Sequence, residues 1–350
     1  MIEKINSNYS FDPNYLGNLK APRLTKPILL EHIKSFQKFE RKSLFFLYSE
    51  YILKSHRNPF FSELINRGNI TAIDGKGLQW ANYIIKSRWN IFISELKFRI
   101  GFAGQLCKRI VFVINCIYNI FSGFYILFTK KNTFISTHNQ VILGRDFAYD
   151  LLDIADSKNW KVVILGAIGI EVISKIKRLH PNINISTWNM DSGSPFMQDK
   201  SVITDFPINN LTNLTRKQKI LNNDNLLEHF PVLDNCLEFL KENQFDLVLV
   251  AFGGLSGKQE FFIDFLKNKT SIKFTLAVGL GAAFDHMGAG AKESPSSEFL
   301  NGIGLEWLFR FIISPRRRVR VFDSIFMFWI YISYLPFLKE TDNLKLPTLF

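Results

Sequence analysis

The chain has 350 residues, 43 Lys and Arg against 31 Asp and Glu, and a formal net charge of +12. That length allows one large domain or two smaller ones, and the basic balance directs the chain toward an anionic partner: nucleic acid, an anionic membrane face or a phosphorylated substrate. Aromatics make up 15% of the residues, with 35 Phe concentrated beside Lys and Arg pairs, which favours the membrane surface. Three cysteines, Cys107, Cys116 and Cys236, show no paired spacing and exclude a disulfide framework, leaving reduced thiols in a cytoplasmic protein.

Residues 1–27 read as a polar, loosely held leader with Pro13, Pro22 and Pro27, and without an apolar signal core. Ile28, Leu29, Ile33 and Phe36 recur at helical spacing, Leu44 to Leu47 reads as a strand, and helices are expected over 49–56 and 60–65. Gly68-Asn69 stops the second of these. Ile70 to Ile73 is a short strand running into Asp74-Gly75-Lys76-Gly77, with a helix following from Leu78. In an open α/β sheet, a carboxylate at the carboxyl end of a strand lies in the ligand crevice, so Asp74 is a candidate general base. Asp-Gly is also an ordinary turn pair.

Residues 88–133 differ in kind. Ile110 to Phe128 is nearly continuous apolar sequence between Lys108-Arg109 and Lys130-Lys131, interrupted by Asn115, Asn119, Ser122 and Gly123. It is about long enough to cross a bilayer, where a helix needs roughly 20 apolar residues. If the strands on either side share one sheet, the chain leaves and returns on one side of the membrane. A single span is then excluded, which leaves a hairpin, a re-entrant segment, an interfacial helix or a buried core helix.

Beyond this insert the pattern turns regular: a helix over 147–155, a strand over 161–165, Gly166-Ala-Ile-Gly169 opening a helix over 170–179, and a strand over 183–185. This βαβ unit would place a phosphate or ribose at a helix N-terminus, although a lone G-x-x-G is more often a packing turn. A polar, mobile loop is expected over 190–230, then a helix over 233–241 and an apolar strand over 245–251. That strand ends in Phe252-Gly253-Gly254, and Gln259-Glu260 start the next helix. A further strand, Phe274 to Val278, delivers the glycine-rich turn with Gly279, Gly281 and Asp285. Glycines let backbone N–H groups approach an anion closely, and the arginines near 310–320 supply forked donors for phosphate oxygens. Ile325 to Leu338, with Trp329 and Pro336, reads as an interfacial anchor.

Several segments together resemble the WecG/TagA/CpsF glycosyltransferases. Ile73-Asp-Gly-Lys-Gly77 is similar to that family's D-G-x-G, Val163-Ile-Leu-Gly-Ala167 to its strand before a G-x-x-G helix, and Lys258-Gln-Glu260 to the end of its Q-E motif. Gly304-Leu-Glu-Trp-Leu-Phe-Arg310 followed by Pro315-Arg-Arg317 resembles G-L-E-W-L-x-R and P-R-R at the same spacing. The resemblance implies a doubly wound, Rossmann-like parallel sheet of the type called GT-E. Here it would carry a hydrophobic membrane-facing insert (88–133) between core parts 28–87 and 134–300, and an arginine-rich helical appendage over 301–350.

The implied chemistry is inverting, metal-independent transfer of an N-acetylmannosamine-type N-acetylhexosamine. The donor would be a UDP-sugar and the acceptor a polyprenyl-diphosphate-linked glycan at the cytoplasmic membrane face, in cell-surface polysaccharide biosynthesis. No cofactor or metal is expected. Asp74 would be the base, Arg310, Arg317 and Arg320 would close on the diphosphate, Gln259 would contact the sugar, and Asp285 would sit near uracil or ribose. Gly75, Gly166, Gly253, Glu260, Gly279 and Gly281 complete the expected substrate-binding set. The chain departs from the pattern at Leu47 to Ser49, where the family has T-x-N, at Gly257, where it has proline, at Ser186 to Asp191 and at Glu293-Ser-Pro295. These departures keep open a catalytically weakened membrane scaffold of a polysaccharide-assembly complex. A nucleic-acid binder ranks last, because the basic residues flank apolar stretches instead of forming a stripe with stacking aromatics.

Overall fold

A computed structural model describes residues 15–16, 19–21, 24–85, 87–96, 102–128, 141–166, 168–188, 231–252, 257–281, 283–288 and 323–337. The expected mobile loop over 190–230, the Glu293-Ser-Pro295 segment and the arginine-rich stretch over 301–320 lie outside the described residues.

Strands β1 (Tyr15–Leu16) and β2 (Leu19–Lys20) pair antiparallel. Lys20 N donates to Asn66 Oδ1 and its carbonyl accepts from Thr71 Oγ1, while Leu19 is fully buried. The reading of 1–27 as a loose leader is therefore corrected for these residues: one leucine inside the core and two backbone bonds tie them down. Helix α1 (Lys26–Lys34) leads to β3 (Lys42–Leu47), then α2 (Ser49–Arg57), α3 (Pro59–Asn66) and β4 (Ile70–Ile73). Pro59 at the first turn of α3, with Asn58 accepting from Phe61 N, starts that helix. Next come α4 (Lys76–Ile85), α5 (Arg88–Glu95), α6 (Phe102–Phe128), α7 (Gly144–Ser157), β5 (Lys161–Leu165), α8 (Ile170–Leu179) and β6 (Asn184–Trp188). The chain continues with α9 (Pro231–Asn243), β7 (Leu247–Val250), α10 (Lys258–Lys269), β8 (Leu276–Gly279), α11 (Ala283–Gly288) and α12 (Phe328–Tyr334).

Six strands form one sheet in the order β4-β3-β8-β7-β5-β6, and every pairing is parallel. Apolar residues on both faces of the central strands β3, β8, β7 and β5 account for this, since parallel sheets are covered on both sides. Phe45, Leu47, Val163, Leu165, Val248 and Ala277 face a layer holding α2, α3, α4, α9, α10 and α12. Their neighbours Leu44, Phe46, Val162, Ile164, Leu249 and Val278 face α1, α7, α8 and α11. The doubly wound expectation is met, with core segments from both sides of the insert in a single sheet.

The helix after β8 lies on the second layer, whereas those after β3 and β7 lie on the first. The crevice at the carboxyl edge therefore opens on both sides of β8, at a topological switch point. On the opposite edge, buried Asp246 accepts from Lys161 N at 3.0 Å, and its backbone carbonyl accepts from Thr275 N at 2.8 Å.

Among the described residues the insert holds α5 and the long helix α6. Residues Ala103–Gly123 have mean hydropathy 1.3, long and apolar enough to cross a membrane. The Asn residues that interrupt this helix face inward. Asn115 Nδ2 donates to Asn90 Oδ1 (3.1 Å) and to the Ser333 carbonyl (2.8 Å), and Asn119 Nδ2 donates to Ser333 Oγ (3.0 Å). The expectation of an interfacial anchor after the arginines is corrected: Phe328, Trp329, Tyr331 and Ile332 are buried against α2, α4 and α6. An aromatic segment serves lipid and helix packing equally well by composition, and here α12 is the platform on which α6 rests.

Candidate active site

The carboxyl edge is built from strand ends that carry polar groups into the crevice. Asp74 follows β4, and its backbone N–H donates to Leu47 O, which keeps it in line with the sheet. Its carboxylate is met by α7: Gly144 N donates to Asp74 Oδ2 at 3.2 Å, and Ile142 N donates to Ile73 O at 2.9 Å. The chain returning from the insert thus aims a helix N-terminus at Asp74, where both the N–H group and the helix dipole favour the anion. A Cβ on Gly144 would stand 3.3 Å from that oxygen and 3.6 Å from the Phe46 ring, so glycine permits the approach.

Burial dominates the titration of this carboxyl. Desolvation lifts its pKa from 3.8 to about 6, opposed by the bonds from Gly144 and from the Tyr48 hydroxyl and by nearby Arg145. A carboxylate poised there carries a proton easily near neutral pH. Gly75 beside it has φ +102°, and a Cβ there would meet nothing within 4 Å among the described residues.

Two strands further along the edge, about 10 Å by strand spacing, lies a second group. Gln259 and Glu260 open α10 and are fully buried. Gln259 Oε1 accepts from Gly281 N at 2.8 Å, and Gln259 Nε2 donates to Glu260 Oε1 at 2.7 Å. Tyr51 donates to that same oxygen at 2.7 Å, while Glu260 Oε2 has no partner among the described residues. Burial raises the Glu260 pKa, against the bonds from Tyr51 and Gln259 and the charge of Lys54. Gln259 is thus a strut between α10 and the turn after β8. Gly279 makes room for it, since a Cβ there would come within 3.1 Å of the Gln259 amide carbon. Gly281, with φ +55°, turns its N–H toward the same side chain.

Tyr48 and Tyr51 join the two carboxyl groups. The Tyr48 hydroxyl bonds Asp74, the two tyrosine rings meet edge-on at 5.4 Å, and Tyr51 bonds Glu260. Sequence reasoning noted Leu47 to Ser49 only as a departure from a motif. The signal for Tyr48 was its place at the carboxyl end of β3, beside the strand that ends in Asp74.

Gly166 has φ +143°, and a Cβ there would stand 2.6 Å from the Ala251 carbonyl oxygen. This glycine lets the ends of β5 and β7 close together, which is the packing-turn alternative for G-x-x-G. Asp285 belongs to α11 at the carboxyl end of β8, but its side chain lies outside the described residues, as do Gly253, Arg310, Arg317 and Arg320. Among the described residues, no group of three or more His, Cys, Asp or Glu is placed to hold a metal ion.

A doubly wound parallel sheet with polar groups gathered at its carboxyl edge is an architecture in which α/β proteins bind ligands. Residues 135–340, more than half of the chain, match the glycosyl transferase WecG/TagA/CpsF family, and the chain belongs to that family. It is also 28% identical over 179 residues to an N-acetylglucosaminyldiphosphoundecaprenol N-acetyl-beta-D-mannosaminyltransferase of Bacillus spizizenii. That similarity covers 50% of this chain and 53% of the relative, so the chain spans about half the length of the relative it matches. Gln259, Glu260 and the β8 turn fall within the family match, and Asp74 lies before it.

Proposed function

We propose that the protein is an inverting, metal-independent glycosyltransferase. It would move an N-acetylmannosamine-type sugar from UDP to a polyprenyl-diphosphate-linked acceptor, working peripherally or monotopically at the cytoplasmic face of the membrane in polysaccharide biosynthesis. The observation that carries this reading is Asp74, a carboxylate at the carboxyl edge of the sheet, met by the N-terminus of α7 and with its pKa lifted to about 6. In the proposed step Asp74 takes the proton of the acceptor hydroxyl as its oxygen attacks the anomeric carbon. The bond from that carbon to the β-phosphate oxygen breaks, its electron pair leaves with UDP, and the configuration inverts. Positive charge has to meet the departing diphosphate, which is the role the family resemblance gives Arg310, Arg317 and Arg320. Gln259 acts through the β8 turn, whose Gly281 it holds, with Glu260 holding the Gln259 amide, and Asp285 would follow that turn toward the nucleoside.

The test is transfer of labelled sugar from a panel of UDP-N-acetylhexosamines to polyprenyl-diphosphate-N-acetylglucosamine in anionic vesicles, with wild type and Asp74→Asn compared. Transfer by wild type, lost at least a hundredfold in the variant while UDP binding persists, is the expected result. UDP binding by wild type without transfer from any donor would overturn the catalytic reading in favour of the scaffold.

A further inference from the structure

Helix α6 wears its polarity inside out. Asn115 and Asn119 are fully buried, whereas Leu106, Ile110, Val113, Ile117, Phe121 and Tyr125 follow one another at three- and four-residue spacing and are 49% to 70% exposed. A helix facing water shows the opposite arrangement. The roll of α6 is fixed from within: Asn90 Nδ2 donates to Asn119 Oδ1 at 3.1 Å and Trp89 Nε1 to Asn115 Oδ1 at 2.9 Å, alongside the bonds to Ser333. Gly123 completes the seat, because a Cβ there would stand 2.5 Å from Trp80 Nε1. Turning the apolar stripe inward would break all of these contacts. Helix α5 extends the exposed surface with Ile91 and Phe92.

Charge identifies what covers it. Helix α6 contains no Asp or Glu, and Lys108 and Arg109 lie in its first two turns. Pairing α6 with α6 of a second copy would leave these cations with no carboxylate from either helix to meet them. An anionic leaflet receives both the apolar stripe and the cations. The other side of α6 is packed against α12 and α4 between Phe112 and Gly123, so over that stretch lipid can reach the helix from one side only.

We propose that α6 lies in the plane of an anionic lipid surface, with the stripe from Leu106 to Tyr125 submerged and the Asn115–Asn119 side held by α12 and α4. The proposal rests on the membrane site of the functional reading and says where that site is. Helix α4 starts two residues after Asp74 and seats Gly123, so the submerged stripe holds the Asp74 edge next to the leaflet that would deliver a lipid-linked acceptor.

The experiment uses the full chain and vesicles of phosphatidylglycerol and phosphatidylcholine. Nitroxide labels at Ile110→Cys, Val113→Cys, Ile117→Cys and Phe121→Cys, in a background with the three native cysteines replaced by serine, report depth from oxygen and nickel-chelate accessibility. Equal, shallow depth at all four is expected. A depth that passes through a maximum along the helix would overturn the proposal in favour of a span. In flotation, Val113→Glu with Ile117→Glu is expected to lower the bound fraction at least tenfold, with the circular dichroism of wild type. An unchanged bound fraction, or labels that report close pairs of copies without vesicles, would refute lipid as the occupant. Asp74→Asn is expected to float as wild type does, so loss of catalysis and loss of membrane seating are read separately.

Discussion

At Asp74, the proposed function and stability pull in opposite directions. Its folded pKa of about 6 stands above the 3.8 of the free carboxyl, so the fold binds this proton more tightly than the unfolded chain does. The fold is therefore strengthened as pH falls through about 6, with the gain complete below about 3.8, and it carries the cost of the buried charge above that window. The cost reaches up to about 3 kcal/mol at pH 7, reduced by the partial exposure of the residue. Asp74→Asn removes it, so thermal denaturation should show the variant melting above wild type at pH 8 and the gap closing toward pH 4. With Asp74 as the proposed base, transfer by wild type should rise with pH through about 6 and then level off, as the carboxylate replaces the neutral acid. Tyr48→Phe removes a donor that favours the carboxylate, so a pH–rate profile should move its acid limb to higher pH while the plateau rate changes less than about tenfold. A lowered plateau with an unmoved limb would mean that Tyr48 acts on substrate placement instead. Asp74 was legible from sequence because strand, carboxylate and glycine are contiguous. Tyr48 was not, because its partner lies on the neighbouring strand and only the sheet order brings them together.

The strands and helices that place the site follow short-range rules, and most were legible to within a few residues. Ile70 to Ile73 and Lys161 to Leu165 occur as expected, while the strand read as 245–251 is Leu247 to Val250. What composition did not disclose was how apolar helices choose partners. Ile110 to Phe128 and Ile325 to Leu338 both looked suited to lipid, yet α12 is buried and α6 presents the outward face, because Ser333 satisfies amides on a helix more than 200 residues away in sequence. That pairing ties α6 to the body of the molecule. Asn119→Leu deprives Ser333 Oγ and Asn90 Nδ2 of a partner inside a buried network, at a cost of about 1–3 kcal/mol. Amide hydrogen exchange should accelerate in α6 and α12, with β5 and β7 unchanged. Protection kept in both helices would show that apolar packing alone holds them, and the amides would then have no orienting role.

For the molecule as a whole, the decisive fact is that the sheet is closed by distant parts of the chain. Strand β3 lies between β4 and β8, so the segment from Lys42 to Ile73 is inserted beside a strand that begins at Leu276. The family match starts at residue 135 and includes β5 to β8, but it omits both β3 and β4. A fragment restricted to that match would lay bare the edge of β8 from Leu276 to Gly279 and lose the contacts of α2 and α3 with α10. It would also strip Phe45, Leu47, Tyr51 and Phe61 from the first core layer and Leu44 and Phe46 from the second. An unpaired, apolar parallel edge is a site for aggregation, not a surface that water tolerates. Expression of residues 135–350 alone should therefore yield insoluble protein, and co-expression with residues 1–134 should recover a soluble complex, read by co-purification of the two pieces. A soluble, cooperatively melting 135–350 fragment would show that the two N-terminal strands are an addition to a finished core. Failure of the fragment with rescue in trans would show that Asp74 arrives on a strand the core needs in order to close, so the proposed base and the last pairing of the sheet form together.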